Sequence, residues 1–160
     1  MDVGYINPFL TSARAVIDQM VKVPMTLCKP RLRERADGQM MVSAVVELGG
    51  AVTGVVAIGF TQPVALALAS GLAGSVLKTL DSDCVDALCE IANMIAGGAK
   101  KDFPAGGLTT IGVPKMVLGA HNVQFPAGLP IISILCETPR GKFGIDVALR
   151  CPPMSVAKAA

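Results

Sequence analysis

Asp81-Ser82-Asp83-Cys84-Val85 has the Asp-x-Asp-x-Val spacing of enzymes that attack a phosphoryl group with an aspartate. That chemistry needs a buried strand before the motif, and this chain is short for such a fold. Asp81, Ser82 and Asp83 are better accounted for as the cap and first turn of a helix. Within that helix Glu90 and Asn93 stand three residues apart, so a carboxylate and a carboxamide are surface neighbours pointing the same way. Asn is among the weaker helix formers, so position 93 is not filled for helical propensity. At about 100° per residue, Val85, Leu88, Ala92, Ile95 and Ala99 share one face, with Cys84, Ile91 and Ala96 at its margins. Asp86, Glu90, Asn93 and Gly97 fall on the opposite face. On the residues alone, that face reads first as a solvated one.

Other chemistries find less support. Five cysteines (Cys28, Cys84, Cys89, Cys136, Cys151) include no Cys-x-x-Cys pair, and the one histidine, His121, makes a zinc site improbable. They read as reduced thiols used as small hydrophobes. No Gly-x-Gly occurs, no Gly-Lys-Ser/Thr, and no Gly-x-Ser-x-Gly elbow, which removes the usual nucleotide loops and the serine hydrolases. No cysteine has an arginine six residues on, so a cysteine phosphatase loop is missing as well. Lys29, Arg31, Arg33 and Arg35 form a cationic stripe, yet no aromatic lies between Phe9 and Phe60 to stack a base. The stripe reads as a charged sheet edge that discourages aggregation, and no nucleic-acid partner is expected.

The elements that must position these residues follow from pattern. The chain of 160 residues is one domain's worth, expected over 1–153 with a loose tail at 154–160. It is 52% hydrophobic and only 16% charged, which excludes disorder and implies that another copy covers some apolar surface. Leu48 to Leu77 carries no charge, long enough to span a bilayer, but Thr61-Gln62-Pro63 interrupts it and residues 51–60 alternate with a strand's period. The N-terminus, with Asp2 and no early basic cluster, is not a signal peptide. A soluble, cytoplasmic protein without a membrane partner is expected.

Asn7-Pro8 reads as a helix start, followed by the stripe Phe9, Ala13, Val16, Ile17, Met20. A strand is expected within 25–36, a second at 40–48 after an Asp37-Gly38 turn, and a third at 51–60 after Gly49-Gly50. Helices cover 63–71 and 84–101. Gly106-Gly107, Pro126–Gly128 and Pro139-Arg140-Gly141 bracket strands near 111–118, 131–137 and 143–150. This order predicts an α+β fold, with helices packed on a mostly antiparallel β-sheet.

The segment Asp86-Ala-Leu-Cys-Glu90-Ile-Ala-Asn93-Met-Ile-Ala-Gly-Gly-Ala-Lys resembles the signature helix of the CheC/CheX/FliY phosphatases of bacterial chemotaxis. Those proteins share an Asp or Ser, a Glu four residues on, an Asn three beyond, and a proline twenty-odd residues downstream. Pro114, in Gly112-Val113-Pro114-Lys115-Met116-Val117, matches that proline at a spacing slightly shorter than the CheC form. The opening Met1-Asp2-Val3-Gly4-Tyr5-Ile6-Asn7-Pro8-Phe9 is similar to CheX-type N-termini, and similarity of element order covers about residues 3–150. Asn93 alone among three asparagines has a Glu three residues before it, whereas CheC-like members commonly carry two such helices. The single site favours the CheX type, and with it a CheC/CheX-like fold and a homodimer.

The resemblance also implies a reaction. Its substrate is the phosphorylated response regulator CheY, whose aspartyl phosphate is already activated and whose own site holds Mg²⁺. The phosphatase brings no cofactor or metal of its own. It supplies an in-line water, held by a carboxamide that both accepts and donates hydrogen bonds. Asn93 takes that role, and Glu90 anchors the partner through a salt bridge to the regulator's active-site lysine. Asp86 supports the face, Pro114 shapes the adjoining loop, and Gly97 with Gly98 lets the regulator approach. The competing reading is a non-catalytic CheX-like module that binds a receiver domain.

Overall fold

The computed structural model describes residues 2–34, 40–119 and 122–153. In chain order these form α1 (Val3–Val16), β1 (Thr26–Leu27), β2 (Arg31–Leu32), β3 (Val42–Gly50), β4 (Thr53–Phe60), α2 (Gln62–Ala73), α3 (Ser82–Lys101), β5 (Thr109–Ile111), β6 (Lys115–Leu118), β7 (Ile132–Thr138) and β8 (Gly141–Arg150). The sheet runs β1-β7-β8-β4-β3-β5, with β2 also on β7 and β6 also on β3. Every pairing among the described residues is antiparallel. The α+β expectation is met: three helices pack on an antiparallel sheet. Each edge of that sheet is made of two short strands in line.

The register explains the core. Val42, Ala44 and Val46 of β3 stand beside Phe60, Ile58 and Val56 of β4, and these beside Phe143, Ile145 and Val147 of β8. All nine are buried on the face that the helices cover. The β7–β8 hairpin turns on Pro139-Arg140, with Thr138 opposite Gly141, as the turn residues indicate. The charge-free stretch from Leu48 to Leu77 is the end of β3, all of β4 and α2. No helix among the described residues is long and apolar enough to cross a membrane.

Several boundaries differ from expectation for identifiable reasons. The first helix is capped by Asp2, whose carboxylate accepts from Gly4 N at 2.9 Å, and Pro8 lies inside it. Asn7-Pro8 imitates a start without being one. The helix ends in a wide turn, Ile17–Val21, where Lys22 N donates to Ile17 O at 2.6 Å. That extra residue shifts the phase, so Val21 is buried and Met20 is 51% exposed. The expected strand within 25–36 is two short strands. Arg33 does not line an exposed edge: it pairs with Asp146 at 3.1 Å and lies over the Phe125 ring. The Gly49-Gly50 turn sits one step later, because both glycines continue β3 to pair with Thr110 and Thr109 of β5. Arg35, the Asp37-Gly38 turn, His121 and the tail at 154–160 lie outside the described residues.

Candidate functional site

Helix α3 carries the candidate residues. Asp81 is its N-cap, accepting from Cys84 N at 3.1 Å, which gives the Asp-x-Asp-x-Val segment a structural role. Leu88, Ile91, Ala92, Ile95, Ala96 and Ala99 are all fully buried. Cys84 and Ile91 on one margin and Ala96 on the other are fully buried and Val85 only partly, so the face turned to the core is wider than the angular count. The reason is that α1 and α2 flank this helix on both sides, so residues at the margins are covered too. Asp86, Glu90 and Asn93 are exposed. None of the three side chains has a hydrogen bond or ion pair among the described residues.

A break in the sheet brings Pro114 beside them. Ile111 pairs with Leu48 and Lys115 with Val45, so four steps along the outer chain match three along β3. The extra residue is a bulge, pinned by Gly112 N donating to Glu47 O at 2.8 Å. Proline lacks the N–H that a ladder needs, so the expected strand at 111–118 is interrupted at Pro114. Val113 is pushed out and left 82% exposed. The bulge forms one wall of a shallow cleft of about 560 Å³ whose other wall is α3. Asp86, Glu90, Asn93 and Pro114 all line it.

Gly97 lies farther along α3, outside the cleft lining; a Cβ there would meet only Ile111 Cδ1, at 4.0 Å. Gly98 has a different role from the one expected. A Cβ at Gly98 would collide with Ser12 Oγ on α1, so this glycine exists for helix–helix contact. The Ser12 hydroxyl donates to Ile95 O at 2.7 Å across that seam.

The cleft also contains residues that pattern reasoning did not assign to the site: Val85, which it placed on the core face, with Cys89, Ile111, Val113 and Met116. Val113 carried a signal, an apolar residue directly before a proline inside an apparent strand. The Cys89 thiol is pushed above the usual range, by burial first and by the Asp86 carboxylate second. Burial pushes Cys136 up to about 12. A raised thiol pKa means less thiolate at any pH below it, so alkylation should be slow near neutrality and speed up as pH rises. With iodoacetamide at pH 7.5, mass mapping should find Cys136 unmodified in the native protein; rapid labelling there would contradict its burial. Among the described residues no group of three His, Cys, Asp or Glu side chains could hold a metal ion.

No curated protein sequence matches the chain. Solved structures do. The chemotaxis protein CheX of Vibrio vulnificus is 26% identical over 91% of this chain and 99% of its own, with a TM-score of 0.82. A chemotactic CheC-like protein of Shewanella oneidensis is 27% identical over 94% of this chain and 100% of its own, at 0.82. CheX of Borrelia burgdorferi, solved as a complex with CheY, BeF₃ and Mg²⁺, is 27% identical over 91% of this chain and 97% of its own, at 0.78. The family profile described as chemotaxis phosphatase CheX matches residues 42–137, a span that holds β3, β4, α3 and the bulge. With more than half its length under that profile, this chain belongs to the CheX family.

Proposed function

We propose that this protein is a phosphatase of a CheY-type response regulator, hydrolysing its aspartyl phosphate with a water that Asn93 holds in line. One observation carries the reading: Glu90 and Asn93 are exposed neighbours on α3, both unpartnered, and both face the cleft beside Pro114. A carboxylate and a carboxamide left without internal partners are available to an incoming surface. The Borrelia relative seen with CheY, BeF₃ and Mg²⁺ supports a receiver domain as that surface.

In this mechanism the chain supplies position rather than covalent chemistry. An acyl phosphate is an activated leaving group, and the Mg²⁺ on the regulator neutralises its charge. Asn93 accepts from the attacking water and donates to the phosphoryl group, fixing the water opposite the leaving aspartate. Glu90 anchors the partner through a lysine, Asp86 adds negative charge one turn away, and Pro114 with Val113 forms an apolar shoulder. Gly97 keeps that flank of the helix low. The reaction belongs to the cytoplasm, where response regulators work. The deciding experiment follows the decay of phosphorylated CheY-type receivers with and without the protein. Acceleration of at least one receiver is expected. Binding with no acceleration of any would favour the receiver-binding module.

Glu90→Ala removes an interfacial ion pair, so it should weaken binding of the phosphorylated regulator by about 2–5 kcal/mol if the pair is desolvated. Calorimetric titration measures this, and unchanged affinity would remove Glu90 from the interface. The proposed homodimer rests on the sparse surface charge and on the exposed apolar side chains Met41 (56% exposed) and Leu118 (68% exposed) near the β6 edge. Light scattering at micromolar concentration should give twice the chain mass; a monomer would contradict it.

A further inference from the structure

The connections that cross the sheet leave a second cavity, on the face opposite the helices. The chain must pass from β6, at one edge, to β7, next to the other edge, and Val123 and Phe125 of that passage lie over the sheet. Beneath them is a cavity of about 330 Å³, at the lower end of the range for small-molecule pockets. Its floor is the small-residue strip Ala57, Gly59 and Gly144, and its apolar walls are Met40, Leu135, Val123 and Phe125. Arg31, Arg33 and Lys142 also line it, against one carboxylate, Asp146. Ser43 also lines it, and its hydroxyl, which makes no hydrogen bond among the described residues, is open to the cavity. An accessible hydroxyl without an internal partner is available to a ligand's polar group.

We propose that this cavity binds a small organic carboxylate: an apolar body on the glycine strip, with its anionic group toward the arginine and lysine side and within reach of Ser43. Three cations and one carboxylate disfavour a cationic ligand. The apolar walls disfavour a bare inorganic anion, which would forfeit its hydration against Phe125 and Leu135. Arg33 pairs with Asp146 at 3.1 Å and Lys142 with Glu137 at 3.2 Å, so part of the positive charge is already neutralised from within. The site is separated from Glu90 and Asn93 by the thickness of the sheet and does not depend on the phosphatase reading.

The test is an NMR titration of the full-length ¹⁵N-labelled protein with phenylacetate, 3-phenylpropanoate and hexanoate, with the matching neutral amides, and with inorganic phosphate. At least one of the acids should give saturable shifts of the Ser43, Gly59 and Gly144 amides, at least tenfold tighter than its amide, with none from phosphate. Gly144→Val should abolish them without unfolding the protein, because a Cβ there meets only Met40 Cε, at 3.7 Å. Ser133→Leu, from the neighbouring strand, fills the same space if the first variant folds poorly. No saturation by any acid up to about 10 mM, equal affinity for acid and amide, or binding that survives filling would each overturn the proposal.

Discussion

Asn93→Ala should lower the acceleration of regulator dephosphorylation on the order of 100-fold, the loss typical of deleting one positioned group at a reacting centre, while the phosphorylated regulator still binds. The two effects separate because the side chains have different work. Asn93 touches the water, and Glu90 touches the partner. The substitution lies on an exposed helix face and replaces a weak helix former with the best one, so stability should rise by a few tenths of a kcal/mol. A fall in rate therefore cannot be attributed to unfolding. Single-turnover decay of the phosphorylated receiver, at saturating and subsaturating phosphatase, distinguishes loss of chemistry from loss of affinity. Wild-type rates from this variant would refute the water-positioning mechanism.

Two adjacent glycines should respond to the same substitution with opposite signs. Propensity alone gives each Gly→Ala in a helix interior about 1 kcal/mol of stabilisation. At Gly97 the new methyl meets only Ile111 Cδ1, at 4.0 Å, so that gain should be kept, raising Tm by about 2–4 °C for a chain of this size. At Gly98 the methyl must displace Ser12, whose Cβ lies 3.2 Å from the new atom and whose hydroxyl holds Ile95 O. Overpacking of that kind costs about 1–3 kcal/mol, so Tm should fall instead. Thermal melts of the two variants are the measurement, and a stabilised Gly98→Ala would contradict the close contact of α1 and α3. If Gly97 gives the regulator room, Gly97→Ala should be more stable and yet bind more weakly.

The long helix was legible because its signals agree: Asp81 before an amphipathic run of twenty residues, and basic residues in its last turn. Exposure of Asp86, Glu90 and Asn93 follows from that periodicity. The start of α1 was not legible, since Asn7-Pro8 satisfies the same local rules as a true cap and only tertiary burial of Tyr5 and Ile6 favours Asp2. The wide turn that exchanges Met20 for Val21 leaves no trace in a pattern counted at a constant period. Pro114 signalled the break in its strand, but the cleft it forms depends on a pairing with β3, far away in the sequence. The Gly97-Gly98 pair announced that something required two poor helix formers in a row. Which neighbour each one faces is a property of the packing of helices and is absent from any local window.

The strand order has a consequence for the chain while it is being made. Central strand β4 lies between β3, its sequence neighbour, and β8, the last strand to be synthesised. Until β8 has left the ribosome, β4 presents Val55, Val56, Ala57 and Ile58 along an unpaired hydrophobic rim. Helix α1 waits likewise for α3, against which it packs. The nascent N-terminal half therefore has no finished sheet to settle into and keeps that hydrophobic rim exposed until β8 is made. Closure of the sheet comes late, with a pairing that spans most of the chain, which places this protein among slow folders.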